Sequence, residues 1–220
     1  MRRLAGLVVA LFVAIGCSAP AASPTALPTP TAAPTPSPSP SPTPSPSPSP
    51  VADSFDGQPY IVTVPPAWRL FDLSNPTSKA ALDAFVAANP DFGPAIGVFE
   101  SIPGVRMAVN PLLGESMLIF STPTGGIPLD TISTSFQAQF QAVPGLKAVP
   151  TPTKEDLPGG PAYHWALQLT ANKPSGGSVN VDESVYLFAN DSTAVVVEFV
   201  TLAGGLVPEE SSIIDSFRFR

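Results

Sequence analysis

The chain has 220 residues, of which 30 are proline and 44% are apolar. Residues 51–220 contain all 17 acidic residues and all the basic residues except Arg2 and Arg3, which gives this part a net negative charge. An acidic surface repels phosphate groups, which argues against binding to nucleic acids and to anionic lipid headgroups. Cys17 is the only cysteine, so an internal disulfide is excluded.

The N-terminal segment has the features of an export signal. Arg2 and Arg3 precede an apolar run over residues 4–15, which is too short to span a bilayer as a helix and typical of a signal peptide. An ordinary secretory signal cut near Ala19 or Ala22 is one interpretation. The residues that end the apolar run favour another.

These residues are Ala14, Ile15, Gly16 and Cys17, and they resemble the bacterial lipobox, although that motif prefers leucine at the position of Ala14. The resemblance implies a signal peptide over residues 1–16 and acyl chains such as palmitate on Cys17. The protein would then be anchored to the cell membrane on its extracytoplasmic face. Two acyl chains make a stable anchor, because each buried CH₂ contributes about 0.8 kcal/mol.

Residues 17–53 are predicted to be the lipidated cysteine and a stalk. Proline alternates with serine or threonine from Pro34 to Pro50. This pattern favours the polyproline II helix, which has no apolar face to bury. At about 3.1 Å per residue, the stalk could hold a domain roughly 100 Å from the membrane.

Residues 54–220 are predicted to form one globular domain. In its first half, alternating apolar residues predict a strand over Phe55–Val64, and helical spacing predicts a helix over Thr77–Ala88. Strands are predicted at Val105–Val109 and Met117–Phe120. The apolar face of a second helix is formed by Leu129, Ile132, Phe136, Phe140 and Val143.

The second half is predicted to be mostly sheet. Strands are expected at Tyr163–Thr170, Val181–Ala189 and Ala194–Thr201, and the last two should form an antiparallel hairpin through the short turn at residues 190–192. A short terminal helix follows Pro208, with an apolar face made of Ile213, Ile214 and Phe217. Residues 217–219 are expected either to form a last strand or to pack on the core. The whole order predicts an α+β fold with a largely antiparallel sheet and helices on both faces.

Three segments carry a resemblance to a known family. They are Tyr60–Trp68, Leu157–Tyr163 and Ile213–Phe219, the last of which contains an Ile-x-Ser-Phe-x-Phe pattern when counted from Ile214. Together they resemble the PsbP-like α/β/α sandwich of small actinobacterial lipoproteins of the LpqN type. The resemblance covers most of residues 55–220, and the segment 91–114 departs from it as an irregular insertion. It implies a fold and a role as an accessory or binding module, with no catalytic residues to carry over.

No catalytic residue is predicted. His164 is the only histidine and lies on a strand face with Gln168 and Thr170, where a hydrogen-bonded side chain, at the surface or half-buried, is expected. Ser116 lacks the Gly-x-Ser-x-Gly pattern of a nucleophile elbow, because Leu118 stands at the second glycine.

Neither a metal nor a cofactor is predicted. The closest acidic pairs, at 53 and 56 and at Asp182 and Glu183, lack the spacing of a cation loop and are expected to be solvated. The glycine pairs at 159–160, 176–177 and 204–205 are expected to be turns. The large aromatic residues are expected to fill the core, and they are Trp68, Phe85, Phe136, Phe140 and Trp165.

The leading hypothesis is a non-enzymatic envelope lipoprotein that acts as an accessory or binding module on a proline-rich stalk. Its partners would be the membrane, through Cys17, and an envelope protein or a small ligand. The alternative is a cell-envelope hydrolase or transferase that uses His164 with a nearby carboxylate. A structural wall lipoprotein is a third possibility.

Overall fold

The computed structural model describes residues 57–88, 104–110, 115–143, 146, 148–172, 177–202 and 207–220. The predicted signal peptide, the lipobox with Cys17 and the stalk lie outside these ranges. So do most of the predicted insertion and the start of the strand predicted from Phe55. Within the described ranges, no helix is long and apolar enough to cross a membrane.

Seven antiparallel strands form the main sheet. In spatial order they are β2 (Arg69–Asp72), β3 (Arg106–Asn110), β4 (Glu115–Pro123), β8 (Thr193–Leu202), β7 (Ser178–Ala189), β6 (Gly160–Asn172) and β5 (Thr153–Leu157). Two short strands, β1 (Tyr60–Ile61) and β9 (Arg218–Phe219), pair separately with each other. The described ladders are all antiparallel, which confirms the predicted sheet type.

Helices cover both faces of the main sheet, as predicted. Helices α1 (Pro76–Ala88) and α2 (Leu129–Gln141) pack on one face, and α3 (Glu210–Ser216) packs on the other. The pair β1–β9 lies on the same side as α3, since its Tyr60 belongs to the same apolar cluster. The fold is therefore the α+β sandwich that the order of elements predicted.

The sequence shows why α1 begins where it does. The side-chain oxygen of Asn75 accepts hydrogen bonds from the backbone N–H groups of Thr77, at 2.9 Å, and Ser78, at 3.4 Å. Pro76 occupies the first helical position, where its missing N–H costs nothing. The helix then turns Leu82 and Phe85 into the core.

An aromatic cluster joins α2 to the sheet. Trp165 of β6 is fully buried, with its ring 5.4 Å from that of Phe140 and 6.4 Å from that of Phe136. Its indole N–H donates to the side-chain oxygen of Gln137 at 2.7 Å, so the polar atom of the ring is satisfied. The prediction that these aromatic side chains fill the core is confirmed.

The opposite face is closed by the end of the chain. Phe217, which follows α3, stacks on Phe188 of β7 with ring centroids 4.1 Å apart. It also lies 6.2 Å from the ring of Tyr60. The C-terminal segment thus holds β1 and α3 against the sheet, and residues 218–219 form the last strand.

The β7–β8 hairpin is confirmed. The side-chain oxygen of Asn190 accepts the backbone N–H groups of Ser192, at 3.0 Å, and Thr193, at 2.8 Å. These bonds fix the turn and place Ala189 opposite Ala194 in the ladder.

Two predictions about strands need correction. The strand predicted over Phe55–Val64 is limited to Tyr60–Ile61 among the described residues, and it pairs with β9 rather than joining the main sheet. Pro65 and Pro66 lie just beyond it and cannot donate to a ladder. The edge strands β2 and β5 were not predicted, because β5 in particular is polar and an edge strand needs no apolar alternation.

The turn before β6 generates a first prediction. A Cβ atom at Gly159 would lie 2.6 Å from the carbonyl oxygen of Phe217 and 2.5 Å from its Cδ1. We expect Gly159→Ala to lower the free energy of unfolding by about 1–3 kcal/mol, because the backbone of the buried C-terminal segment must shift. Denaturation in urea measures the change. The exposed variant Asp156→Ala should change it by less than about 0.5 kcal/mol, and equal effects of the two would contradict the close contact.

Candidate functional site

His164 sits in a polar network on the α3 side of the sheet. It lies on β6, opposite Thr153 of β5 and opposite Tyr186 of β7. This register stacks the imidazole on the Tyr186 ring, with centroids 4.2 Å apart and planes 2° from parallel. The predicted position on a strand face and the predicted half-buried, hydrogen-bonded state are both confirmed.

The network is a chain of short hydrogen bonds. His164 Nδ1 lies 3.0 Å from a carboxylate oxygen of Glu155 on β5, and Nε2 lies 2.8 Å from the hydroxyl oxygen of Ser184 on β7. The Ser184 hydroxyl donates to Glu210 of α3 at 2.6 Å, and Tyr186 donates to the same oxygen at 2.8 Å. Three strands and one helix therefore meet through these five side chains.

A cleft of about 670 Å³ adjoins this network, between the start of α3 and the sheet. Its wall on the sheet side follows the ladder, in which Gln168 pairs with Asp182 and Asp182 pairs with Thr201. Ser184 and Glu210 of the network also line it. The cleft volume lies within the ~300–1,000 Å³ that is usual for ligand sites.

The cleft is acidic. None of the described residues that line it is lysine or arginine, whereas Asp182 and Glu210 are carboxylates. Nearby, the pKa of Glu115 is raised by burial and by the charge of Glu209, and is lowered less by a hydrogen bond from Asn110. A ligand that supplies positive charge or hydrogen-bond donors would suit this lining.

The Tyr186 hydroxyl depends on the same surroundings. Burial raises its pKa above the usual range, and the neighbouring carboxylate of Glu210 raises it further. The phenol is therefore neutral at ordinary pH and acts as a hydrogen-bond donor.

Two further carboxyl groups are buried on the opposite face of the sheet. Glu183 and Glu198 are 3% and 1% exposed. Burial raises the pKa of Glu198 to about 8, and burial together with the charge of Glu198 raises that of Glu183 well above its usual value. The prediction that Glu183 is a solvated charge is therefore wrong, because β7 is covered on both faces.

The remaining site predictions have mixed outcomes. The glycine pair at 159–160 does form a turn into β6, as predicted. The residues Cys17, Ala14, Ile15 and Gly16 lie outside the described residues, and their predicted roles stay predictions. Within the described ranges, no group of three or more His, Cys, Asp or Glu side chains is placed to hold a metal ion.

Sequence reasoning missed the partners of His164. These partners are Glu155 and Ser184, and Ser184 in turn donates to Glu210. The three residues come from three different elements, and no sequence spacing connects them. Glu198 did leave a signal, since it interrupts the apolar run of β8, in which a charged residue is unusual for a strand buried on both faces.

Comparison with known proteins gives only distant likenesses. No protein family and no curated protein matches the chain. A crystal structure from Bacteroides thetaiotaomicron is similar at a TM-score of 0.47 and 10% identity, covering 77% of this chain and 47% of that one. The chain thus spans about half the length of that protein.

A second similar structure is LpqN of Mycobacterium tuberculosis, described as involved in cell envelope biogenesis. The TM-score is 0.39 at 14% identity, and the match covers 73% of this chain and 81% of that one. Because both TM-scores are below 0.5, nothing about the ligand or activity of this chain follows from either likeness.

The network generates a second prediction. Tyr186→Phe removes one of the two donors to Glu210 while it keeps the stacked ring. We expect it to lower the free energy of unfolding by about 1–3 kcal/mol, because the lost bond is half-buried and accepted by a carboxylate. Chemical denaturation measures the difference.

Tyr163→Phe is the matched control. Its hydroxyl donates to Asp130 at 3.0 Å, but that carboxylate is exposed and also paired with Lys154 at 2.8 Å. The change should be much smaller, since water replaces an exposed bond. If both variants lose the same stability, the network does not hold α3 to the sheet.

Proposed function

We propose that this chain is an envelope lipoprotein, anchored through Cys17, whose domain binds a small ligand in the cleft beside α3 and carries out no chemistry. The observation that carries the proposal is the cleft itself, a concave site with convergent polar side chains. We include in this proposal that the domain is related to the PsbP-like domains of the LpqN type, which the sequence resembles.

The anchor is supported by the order of the first 53 residues. A basic start, a short apolar run, the lipobox and a proline-rich segment follow one another without an acidic residue before position 51. A long stalk is useful to a tethered domain that must reach beyond the membrane surface. The partners are then the membrane, through the lipid, and a ligand from the envelope.

The ligand chemistry follows from the lining. Carboxylates, an amide and hydroxyl groups line the cleft, and the described lining residues include neither lysine nor arginine. Carboxylates accept hydrogen bonds and attract positive charge. A small molecule with amino or hydroxyl groups is the class that this lining would bind.

Binding is favoured over catalysis by the direction of the hydrogen bonds. Ser184 has one hydroxyl hydrogen, and Glu210, at 2.6 Å, competes for it with His164 Nε2, at 2.8 Å. While that hydrogen is donated to Glu210, it is not shared with His164, so the imidazole is not placed to take it as a base. The Glu210 carboxylate, 2.6 Å from the hydroxyl oxygen, would also oppose a developing oxyanion.

The anchor has a direct test. Cys17→Ala should move the protein from the membrane fraction to the soluble extracytoplasmic fraction, because the acyl chains are its only predicted attachment to the bilayer. Cell fractionation and intact mass of the mature protein measure this. Cys17→Ser is the second variant, and Ser18→Ala is the control that keeps the thiol. A wild-type protein that is soluble, or whose mass lacks the lipid, would contradict the anchor.

The cleft has its own test. Ser211 and Ser212 are adjacent, exposed residues of α3, and only Ser211 lines the cleft. Ser211→Arg should abolish capture of the ligand in an in-cell crosslinking experiment analysed by mass spectrometry, because the arginine occupies the cleft and offsets part of its negative charge. Ser212→Arg should retain capture. Capture by both variants, or by neither variant nor the wild type, would contradict the cleft as the binding site.

An enzyme is the second candidate, and one observation favours it. Glu155, His164 and Ser184 stand in the order and at the distances of an acid, a base and a nucleophile, beside a cleft. For an acyl substrate, the serine oxygen would attack the carbonyl carbon and its proton would pass through His164 to the leaving group. Water would then release the acyl group.

A fluorophosphonate probe separates the two candidates. The binding proposal predicts that the folded protein forms no covalent adduct at Ser184, as measured by peptide mass spectrometry. An adduct that disappears in Ser184→Ala and His164→Ala, and persists in the exposed-loop variant Ser192→Ala, would establish the enzyme instead.

A further inference from the structure

Three polar side chains lie on neighbouring strands, on the face of the sheet that α1 and α2 cover. In the ladder of β7 and β8, Glu183 lies opposite Val200 and Glu198 lies opposite Val185. The two glutamates are thus diagonal neighbours on one face. On the other side of β8, Ser116 of β4 also lies opposite Val200, which makes it a diagonal neighbour of Glu198 on the same face.

All three side chains are buried, and each has an oxygen atom without a hydrogen-bond partner. Ser116 is 0% exposed, and its hydroxyl oxygen is unpaired. One carboxyl oxygen of Glu183 and one of Glu198 are unpaired as well. Buried polar groups are normally satisfied, because an unsatisfied one costs about 1–3 kcal/mol and an unpaired buried charge costs more.

Among the described residues, the cross-strand neighbours of these three side chains offer no hydrogen-bond donor. The adjacent side chains on this face are apolar, among them Val185, Val200 and Leu118. The salt bridges of the described lysine and arginine residues are made with other carboxylates, as for Lys154 with Asp130 and Arg106 with Asp72. Arg69 is exposed on β2, two strands beyond Ser116.

We propose that Glu183, Glu198 and Ser116 bind one divalent cation that prefers oxygen ligands, of the class of Ca²⁺, Mg²⁺ or Mn²⁺. Two carboxylates and a hydroxyl are hard oxygen donors, and carboxylates are the common ligands of these ions. A cation supplies to all three oxygens the positive charge that no neighbouring donor provides. Ser116 is the observation that distinguishes a site from a mere pair of acidic residues, because its buried oxygen is unpaired on the same face.

Protonation alone is a weaker explanation of the same geometry. It would neutralise the carboxyl groups and turn one oxygen of each into a donor, but the unpaired oxygens of Glu183, Glu198 and Ser116 form no hydrogen bond with one another. A cation bound across β4, β7 and β8 would instead stabilise the centre of the sheet. By strand alternation the three side chains lie on the face that α1 and α2 cover, although Glu183 also borders the cleft. The proposed cation does not depend on the proposed ligand.

The experiment is a thermal unfolding titration of the purified full chain. The protein is first treated with a chelator, which is then removed, and Ca²⁺, Mg²⁺ or Mn²⁺ is added separately at neutral pH. We expect at least one of the three ions to produce a saturable rise in Tm, because a ligand of the folded state shifts unfolding by mass action. Equilibrium dialysis of that ion should give one bound ion per chain.

Three variants make the result specific. Glu198→Gln keeps the volume of the side chain and removes its charge, so the rise in Tm and the bound ion should both be lost. Ser116→Ala keeps both carboxylates and should weaken binding of the ion by at least about tenfold. If Glu198→Gln does not fold, Ser116→Ala still tests the site. Asp156→Asn removes an exposed carboxylate of β5 and should respond like the wild type.

Two results would overturn the proposal. One is the absence of a saturable rise in Tm and of a bound ion in the wild type with each of the three ions. The other is an equal response of wild type, Glu198→Gln and Ser116→Ala, which would place the ion on the protein surface.

Discussion

The burial of β7 and β8 on both faces is the constraint on which the rest of the structure depends. These strands lie at the centre of the seven-stranded sheet, with α1 and α2 on one side and α3 on the other. Their apolar residues therefore do not alternate with polar ones, and residues 194–200 of β8 are all buried. A polar side chain that is buried on these two strands must find a partner inside the protein.

The polar side chains of β7 and β8 differ in their hydrogen bonding between the two faces of the sheet. On the α3 side, Ser184 and Tyr186 bond to Glu210, and the chain of bonds continues through His164 to Glu155. The side chains of this network are hydrogen-bonded, and the network reaches an open cleft, which favours the recognition of a ligand. On the other side, the same strands bury carboxyl groups with unpaired oxygens, and this difference suggests two unrelated uses of one pair of strands.

Much of the fold could be predicted from local pattern, and the site could not. Helical spacing identified α1 and α2, and Asn190 with its neighbours identified the hairpin, because each signal lies within a few residues. The edge strand β5 was missed since its polar sequence, Thr-Lys-Glu-Asp-Leu, carries no alternation. His164 was placed correctly on its strand. Its partners Glu155 and Ser184 reach it only through strand pairing, and Glu210 joins Ser184 only through the docking of α3.

Native mass spectrometry of the wild-type chain, released gently from the membrane, tests the central claim of a ligand-binding cleft most directly. We expect a chain that carries a small non-covalent adduct, released on unfolding and absent when Ser211 is replaced by arginine. A wild-type chain that shows only the mass of the lipidated polypeptide, with or without an added envelope extract, would contradict it.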